Sequence, residues 1–169
     1  MKYILIMILI SMVAVLGCTP APKSDAPVAE AQNTIEPMTA DAYEPGTWIE
    51  NWDLAMVAAK ELKRPVLVNF TGSDWCSWCI RLKDEVFSKP DFMEYAKANL
   101  VLLTLDFPRR LAQSEELKAQ NQLLQRQFGI QGYPTIVLVD SEGKELNRTG
   151  YQQGGAAKYV EHLQELLTK

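Results

Sequence analysis

The sequence predicts an α/β protein with a central mixed β-sheet and helices on both faces of that sheet. Three observations predict this class. Short apolar runs rich in β-branched residues recur along the chain and have the length of buried strands. Segments with apolar residues at helical spacing separate these runs. The resulting order of elements, α-β-α-β-α-β-β-α, is typical of a mixed sheet covered by helices on both sides.

The predicted elements have recognisable ends. Asn51 or Asp53 is expected to cap the first helix, and Pro90 fits the first position of a short helix. Ser114 is the expected cap of a later helix, and Gly129 is its expected stop. The predicted helices cover residues 51–64, 77–87, 90–99, 114–128 and 157–167, and the predicted strands cover 65–70, 100–107, 134–140 and 144–151. In the second helix the residues expected to face the core are Ile80, Leu82, Val86 and Phe87.

The N-terminus, "MKYILIMILISMVAVLGC", indicates a secretory signal. The apolar run from Tyr3 to Leu16 is shorter than the ~20 residues that a transmembrane helix needs. Its ending, "VLGC", resembles the bacterial lipobox, which implies a signal peptide over residues 1–17 and an acylated Cys18. The alternative is an uncleaved anchor with Cys18 as a chance cysteine. Either reading places the body of the protein in the bacterial cell envelope, outside the cytoplasm.

The segment after Cys18 is rich in proline, alanine and acidic residues and shows neither helical nor strand periodicity. Such a composition predicts a disordered tether over residues 18–45. The remaining residues, 46–169, suit a single domain with one core. The net charge is −4, and no cluster of basic residues appears, so we expect no nucleic-acid partner.

Two of the three cysteines, Cys76 and Cys79, stand at CxxC spacing where a predicted strand meets a helix. A structural zinc site needs four ligands, and the other candidates, Cys18 and His162, lie far along the chain. A purely structural disulfide is a weak alternative, because so short a loop removes little unfolded-state entropy. We therefore expect a redox pair and neither a metal nor another cofactor.

The position of Cys76 at the start of a helix predicts its role. Unpaired backbone N–H groups and the helix dipole favour an anion there, which favours the Cys76 thiolate. Cys79 lies one turn further on and is placed to attack a mixed disulfide formed at Cys76. Cys76 is thus the predicted nucleophile, and Cys79 is the predicted resolving thiol.

The chain resembles the thioredoxin superfamily in two motifs, "WCSWC" after "VLVNF" and "GYPT" at residues 132–135. The resemblance covers roughly residues 48–169 and implies a thioredoxin fold. It also implies a cis peptide bond before Pro134, which would face the cysteine pair, and backbone contacts from Tyr133 to an extended substrate. The alternative for Pro134 is a simple strand start. The domain is most similar to small bacterial thioredoxin-like lipoproteins and to the periplasmic reductase domain of thiol–disulfide interchange proteins.

Two carboxylates that the resemblance leads one to expect are missing. Asn69 stands where thioredoxins have a buried Asp, and Lys83 stands where the reductase domain has a Glu. In the family these acids are thought to move the proton of the resolving thiol. Their absence affects the expected efficiency of turnover and leaves the thiol chemistry intact.

The tryptophans beside the pair, Trp75 and Trp78, are candidate substrate-binding residues, with packing as the alternative. Trp75 matches the usual aromatic of the family, and Trp78 either packs over the site or contacts substrates. Trp48 and Trp52 are expected in the core or against the tether. The segment "PRR" with Arg109 and Arg110 is either a contact patch or a solvated loop.

The predicted function is an envelope-anchored thiol–disulfide oxidoreductase that acts on protein thiols and disulfides together with an unidentified redox partner. No charged residue stands between the cysteines, which favours reductive or isomerase-like exchange over strong oxidation. The alternatives are a non-enzymatic binding lipoprotein with the same fold and a specialised reductant for cytochrome c maturation. Copper delivery would need a histidine near the thiols, and His162 is poorly placed for that.

Overall fold

A computed structural model describes residues 39–168 as a five-stranded sheet with helices on both faces. The predicted signal peptide, Cys18 and the tether up to residue 38 lie outside the described residues. The strands are β1 (Trp48–Ile49), β2 (Val66–Thr71), β3 (Val101–Asp106), β4 (Thr135–Val139) and β5 (Glu145–Thr149). The helices are α1 (Trp52–Leu62), α2 (Ser77–Leu82), α3 (Pro90–Asn99), α4 (Glu115–Gln127) and α5 (Gly155–Leu167).

The sheet is mixed, as the sequence predicts, with the strand order β1-β3-β2-β4-β5. Strand β3 pairs in parallel with β1 and β2, and β4 pairs antiparallel with β2 and β5. The central strand β2 is buried at all six positions, because helices cover both of its faces. The carboxyl end of β2 leads directly into the segment that carries the cysteine pair.

Alternate residues of the strands divide the core into two layers, one on each face of the sheet. Val66, Val68 and Phe70 face the layer that α1 and α4 cover. Leu67 and its neighbours on β3 and β4 face the layer of α3 and α5. Both layers contain fully buried, closely packed side chains. The sheet therefore gives the residues that follow its strands a fixed position.

The helix ends match the predicted caps. The side chain of Asn51 accepts a hydrogen bond from the Leu54 N–H at 2.9 Å, and Ser114 accepts one from Leu117 at 3.2 Å. Pro90 is the first residue of α3, and Gly129, with φ of +60°, ends the α4 segment. The 3₁₀ turn Ala40–Ala42 and the buried Tyr43 show that packed structure begins before residue 46, where the sequence suggests the boundary.

Three local expectations need correction. Strand β1 is absent from the predicted elements, because two residues carry no periodic signal. The second helix does continue to Phe87, but its last turn, Lys83–Phe87, is π-helical. The inward position predicted for Ile80 is wrong: this side chain is 41% exposed and lines a surface cleft.

Trp48 and Trp52 both pack on the core. Trp48 stacks on Phe92 with ring centroids 6.4 Å apart and also contacts Phe87 at 5.1 Å. Trp52 contacts Phe128 at 5.9 Å. Of the two readings of these tryptophans, the structure supports the core position.

Candidate active site

The cysteine pair lies in the turn that connects β2 to α2. The Cys76 N–H donates to the Gly72 carbonyl oxygen at 2.9 Å, and Cys76 is the N-cap residue of α2. Gly72 is required by close packing, because a Cβ there would lie 2.5 Å from the indole of Trp75. The turn therefore fixes both the start of the helix and the position of the first cysteine.

Cys76 and Cys79 form a disulfide bond, with their Cα atoms 5.2 Å apart. The backbone N–H of Cys79 also donates a hydrogen bond to Sγ of Cys76 at 3.2 Å. The two residues are nearly equally buried, with 7% and 5% of their surface exposed. What distinguishes them is electrostatic, because only the Cys76 sulfur sits at the N-cap and accepts a backbone N–H.

A contact between Trp75 and Tyr133 joins the "GYPT" motif at residues 132–135 to the segment that carries Cys76. The indole N–H of Trp75 donates to the Phe107 carbonyl oxygen at 2.8 Å. The Tyr133 ring meets Trp75 edge-on, with ring centroids 5.8 Å apart. The Tyr133–Pro134 peptide bond is cis, the conformation that the resemblance implies. Partial burial raises the pKa of the Tyr133 hydroxyl, which accepts a hydrogen bond from Gln125.

The loop after β5 approaches Pro134 closely. A Cβ on Gly150 would lie 3.3 Å from the Pro134 carbonyl oxygen, so this position suits glycine. The hydroxyl of the buried Tyr159 donates to the Gly150 carbonyl oxygen at 3.1 Å. The loop is thereby anchored to α5, and it presents the next residue, Tyr151, beside the active-site turn.

Trp78, between the two cysteines, is half exposed and packs against Tyr151 with ring centroids 5.2 Å apart. The Arg81 guanidinium lies 5.5 Å from the centroid of each ring. Glu85 binds both neighbours, accepting from Arg81 at 2.7 Å and from the Tyr151 hydroxyl at 2.5 Å. The hydrogen bonds from Tyr151 and then Arg81 hold the pKa of Glu85 below its usual value. Trp78 is thus held in one orientation while half of its surface stays open to solvent.

A cleft of about 490 Å³ lies on the Cys79 side of the turn. Its lining includes Asn69 and Thr104 from the sheet and Lys83 from the π-helical turn. Oδ1 of Asn69 is buried and has no hydrogen-bond partner among the described residues. The two positions where the family's acids are missing, 69 and 83, therefore line the same cleft as the resolving-thiol candidate.

The sequence does not reveal the role of Asp74. Its carboxylate accepts backbone N–H bonds from Arg109, Arg110 and Leu111, at distances of 3.0, 2.6 and 3.2 Å. The hydrogen bond from Arg109 is the main reason that the pKa of Asp74 falls below its usual value. An acidic residue two places before Cys76 does not by itself predict these hydrogen bonds, because its partners lie 35 and more residues away in the sequence.

His162 does not join this site. Its Nε2 atom lies 2.8 Å from Oγ1 of Thr149, and its ring contacts Tyr159. Within residues 39–168, no cluster of three or more His, Cys, Asp or Glu side chains is arranged to hold a metal ion. In the same range, no helix is both long and apolar enough to span a bilayer.

Comparisons with known proteins agree with this geometry. A family model described as a thioredoxin-like domain matches residues 52–166. The chain belongs to the thioredoxin-like family. It is 37% identical over 118 residues to a protein named disulfide bond reductase DsbH from Chlamydia pneumoniae, covering 70% of this chain and 71% of that one. It is also 31% identical over 114 residues to a thiol:disulfide interchange protein DsbD of Yersinia pestis, covering 66% of this chain but 17% of DsbD.

Solved structures show the same fold. A structure titled DsbH oxidoreductase aligns with a TM-score of 0.69 at 36% identity and covers 72% of this chain and 84% of that chain. The oxidised C-terminal domain of DsbD from Neisseria meningitidis aligns with a TM-score of 0.52 at 20% identity, covering 70% of this chain and 98% of that domain. The second likeness concerns the fold alone. With the Cys76–Cys79 disulfide at the helix start, the chain is a thiol–disulfide oxidoreductase.

Proposed function

We propose that this protein reduces disulfide bonds of protein substrates through Cys76 and Cys79. The observation that supports this most directly is the disulfide-bonded pair at the N-terminus of α2. Tyr133, whose peptide bond to Pro134 is cis, contacts Trp75, the residue before Cys76. Ser77 and Trp78 place no charge between the cysteines. The relative from Chlamydia pneumoniae is named a disulfide bond reductase, which supports the same direction.

The reaction proceeds in two exchange steps. The Cys76 thiolate attacks one sulfur of the substrate disulfide, whose S–S bond breaks and releases the other substrate sulfur as a thiolate. Cys79, after losing its proton, attacks Sγ of Cys76 and expels the second substrate sulfur. The substrate gains two electrons and the enzyme is left with the Cys76–Cys79 disulfide. A dithiol electron donor reverses these steps on the enzyme and completes the cycle.

The substrate segment is proposed to bind along Tyr133 and Pro134. These residues precede β4, which begins at Thr135, so an extended peptide can continue the sheet next to the disulfide. The aromatic rings of Trp75 and Trp78 flank Cys76 on either side in sequence and offer apolar contact surface. The half-exposed Trp78 is the main candidate for contact with substrates.

The protein is proposed to act outside the cytoplasm, held to a membrane by lipid on Cys18. The "VLGC" sequence after a short apolar run supports this, and two or more acyl chains make a stable anchor. Mass spectrometry of the membrane fraction tests the proposal, with an N-terminal acylated Cys18 as the expected result. An intact Met1, or a Cys18→Ser chain that matures and stays anchored, would contradict it.

Reduction of insulin disulfides by the purified domain tests the activity. The wild-type protein with a dithiol donor should reduce insulin well above the rate of the donor alone, and Cys76→Ser with Cys79→Ser should not. A copper titration in parallel separates the reductase from a metal-binding protein of the same fold. Copper binding by the dithiol without insulin reduction would overturn the proposal.

A further inference from the structure

Glu85 links two parts of the fold that meet beside the cysteine pair. It lies in the π-helical turn Lys83–Phe87 that follows α2. Its carboxylate accepts a hydrogen bond from Nε of Arg81 on α2 at 2.7 Å. It also accepts one from the hydroxyl of Tyr151, in the loop after β5, at 2.5 Å. One carboxylate therefore joins the active-site helix to the loop after β5.

The two partners of Glu85 are also neighbours of the Trp78 ring. The ring centroids of Tyr151 and Trp78 lie 5.2 Å apart, and the Arg81 guanidinium lies 5.5 Å from each centroid. A half-exposed side chain without such contacts would change rotamer within nanoseconds. The hydrogen bonds of Glu85 thus act on the orientation of the indole through Tyr151 and Arg81.

The stability of the fold does not account for this arrangement. Glu85 and Arg81 form an exposed ion pair at i,i+4 spacing, and such pairs contribute little to stability. The π-helical turn that carries Glu85 is a rare conformation, and π turns frequently occur at functional sites. Both observations favour a role of Glu85 at the active site over a role in the stability of the domain.

The loop that carries Tyr151 also borders the proposed path of the substrate. A Cβ on Gly150 would lie 3.3 Å from the Pro134 carbonyl oxygen, so the residue before Tyr151 adjoins the segment with the cis peptide bond. The Tyr159 hydroxyl donates to the Gly150 carbonyl oxygen at 3.1 Å and fixes this approach. The loop therefore connects the proposed binding segment at Pro134 to the aromatic ring beside the cysteines.

An aromatic ring that is already oriented loses less conformational freedom when a substrate binds it, and that loss otherwise reduces affinity. We propose that Glu85 is a positioning residue for substrate binding. Its hydrogen bonds to Tyr151 and Arg81 keep the Trp78 indole in the orientation that protein substrates meet. The proposal rests on the reductase function and on the contact of Trp78 with substrates, and it adds the residue that prepares this contact.

Removal of the Tyr151 hydroxyl tests this role without removal of the ring. Tyr151→Phe loses the hydrogen bond to Glu85 and keeps the aromatic contact with Trp78. Tyr95→Phe is the matched control, because it removes the hydroxyl of another partly buried tyrosine, on α3. For insulin, Tyr151→Phe should raise KM about threefold with kcat unchanged, the size of the ordering cost of one side chain. Both variants should reduce cystine, a small disulfide, at the wild-type rate.

NMR of the indole N–H groups measures the positioning directly. The resonance of Trp78 is assigned by its absence in Trp78→Ala, and its heteronuclear NOE reports motion on the picosecond to nanosecond timescale. The NOE should fall in Tyr151→Phe and in Glu85→Ala, which removes both hydrogen bonds. It should keep the wild-type value in Tyr95→Phe.

The change in KM and the change in motion should have one cause. In the Trp78→Ala background, Tyr151→Phe should not raise KM for insulin any further, because the ring that it positions is gone. An equal rise in both backgrounds, an unchanged KM or an unchanged NOE would overturn the role of Glu85 while the reductase function stands. Equal losses for insulin and cystine would also overturn it. Failure of the wild-type protein to reduce either disulfide would remove the reductase function and the positioning role together.

Discussion

The backbone N–H of Cys79 donates a hydrogen bond to Sγ of Cys76 at 3.2 Å. The same N–H also donates to the Cys76 carbonyl oxygen at 3.0 Å in the first turn of α2. Because Cys76 is the N-cap residue, the positive end of the helix dipole lies at the first sulfur. In the reduced protein this arrangement favours a thiolate at Cys76. We therefore expect helix geometry to set the division of labour between these two nearly equally buried cysteines.

Substitution of each cysteine should separate the two roles. Cys76→Ser should abolish disulfide exchange, because the nucleophile is lost. Cys79→Ser should accumulate mixed disulfides with partners, detectable as thiol-sensitive species on non-reducing gels. In the reduced wild-type protein Cys76 should alkylate faster than Cys79 at neutral pH, since the thiolate is the reactive form. A faster Cys79 would mean that the helix start is not what activates the pair.

Asn69 and Lys83 are expected to influence the second step, in which Cys79 loses its proton. Asn69→Asp should speed the resolution of mixed disulfides, and the acceleration should appear as pH rises through the pKa of the new carboxyl, which burial raises. The same change should lower the free energy of unfolding by roughly 1–3 kcal/mol, because the buried carboxylate would have no hydrogen-bond donor in place of the unpartnered Oδ1 of Asn69. Lys83→Met should slow resolution if the ammonium favours the Cys79 thiolate.

The measurement is stopped-flow reduction of a model disulfide as a function of pH. Asn69→Leu is the matched control, because it fills a similar volume without a proton acceptor and removes the unpartnered Oδ1. Its resolution rate should stay near that of the wild type. Identical rates and pH profiles for Asn69→Asp, Lys83→Met and the wild type would show that neither position affects the proton.

Asp74 should confer a defined pH dependence on the loop at 109–111. Its pKa lies below the ordinary value of 3.8, so its stabilising contribution is complete above pH 3.8 and is lost as pH falls through the lower folded-state pKa. Between pH 7 and pH 5 the contribution of Asp74 to stability should stay constant. Asp74→Ala should speed amide hydrogen exchange of residues 109–111 at pH 7. Exchange as slow as in the wild type would contradict the role assigned to this carboxylate.

Trp78 should matter for protein substrates more than for small disulfides. Trp78→Ala should lower kcat/KM for insulin by about fivefold or more, because truncation of a contacting tryptophan commonly costs over ~1 kcal/mol at an interface. Leu123→Ala is the control, as Leu123 is a similarly exposed apolar residue, 58% exposed, on α4. Equal losses for insulin and for a small disulfide would indicate that Trp78 packs over the pair and does not contact substrates.

Much of the fold could be predicted from local patterns. Apolar runs such as "VLVNF" and "PTIVLV" mark strands buried on both faces, and the caps at Asn51 and Ser114 mark helix starts. The two-residue strand β1 could not be found this way, because its pairing with β3 depends on the neighbouring strand and not on its own sequence. The outward position of Ile80 was missed because helical periodicity does not reveal a cleft at the helix surface.

The site was predictable where chemistry is encoded by spacing, as in Cys76 and Cys79. It was not predictable where residues meet across the fold. The contact between Asp74 and the loop at 109–111 joins segments 35 residues apart, and that between Tyr151 and Glu85 joins residues 66 apart. Such pairs become neighbours only after the sheet has formed. The position of Arg109, with its guanidinium 3.8 Å from the centroid of the Trp75 ring, is another such contact across the fold.

The redox potential of the Cys76–Cys79 pair tests the central claim most directly. Equilibration of the protein with dithiol and disulfide buffers of known potential, read out by tryptophan fluorescence, gives this value. A potential near the thioredoxin value of about −270 mV is expected for a reductase. A potential near about −120 mV, the range of strong disulfide-forming oxidants, would contradict the account.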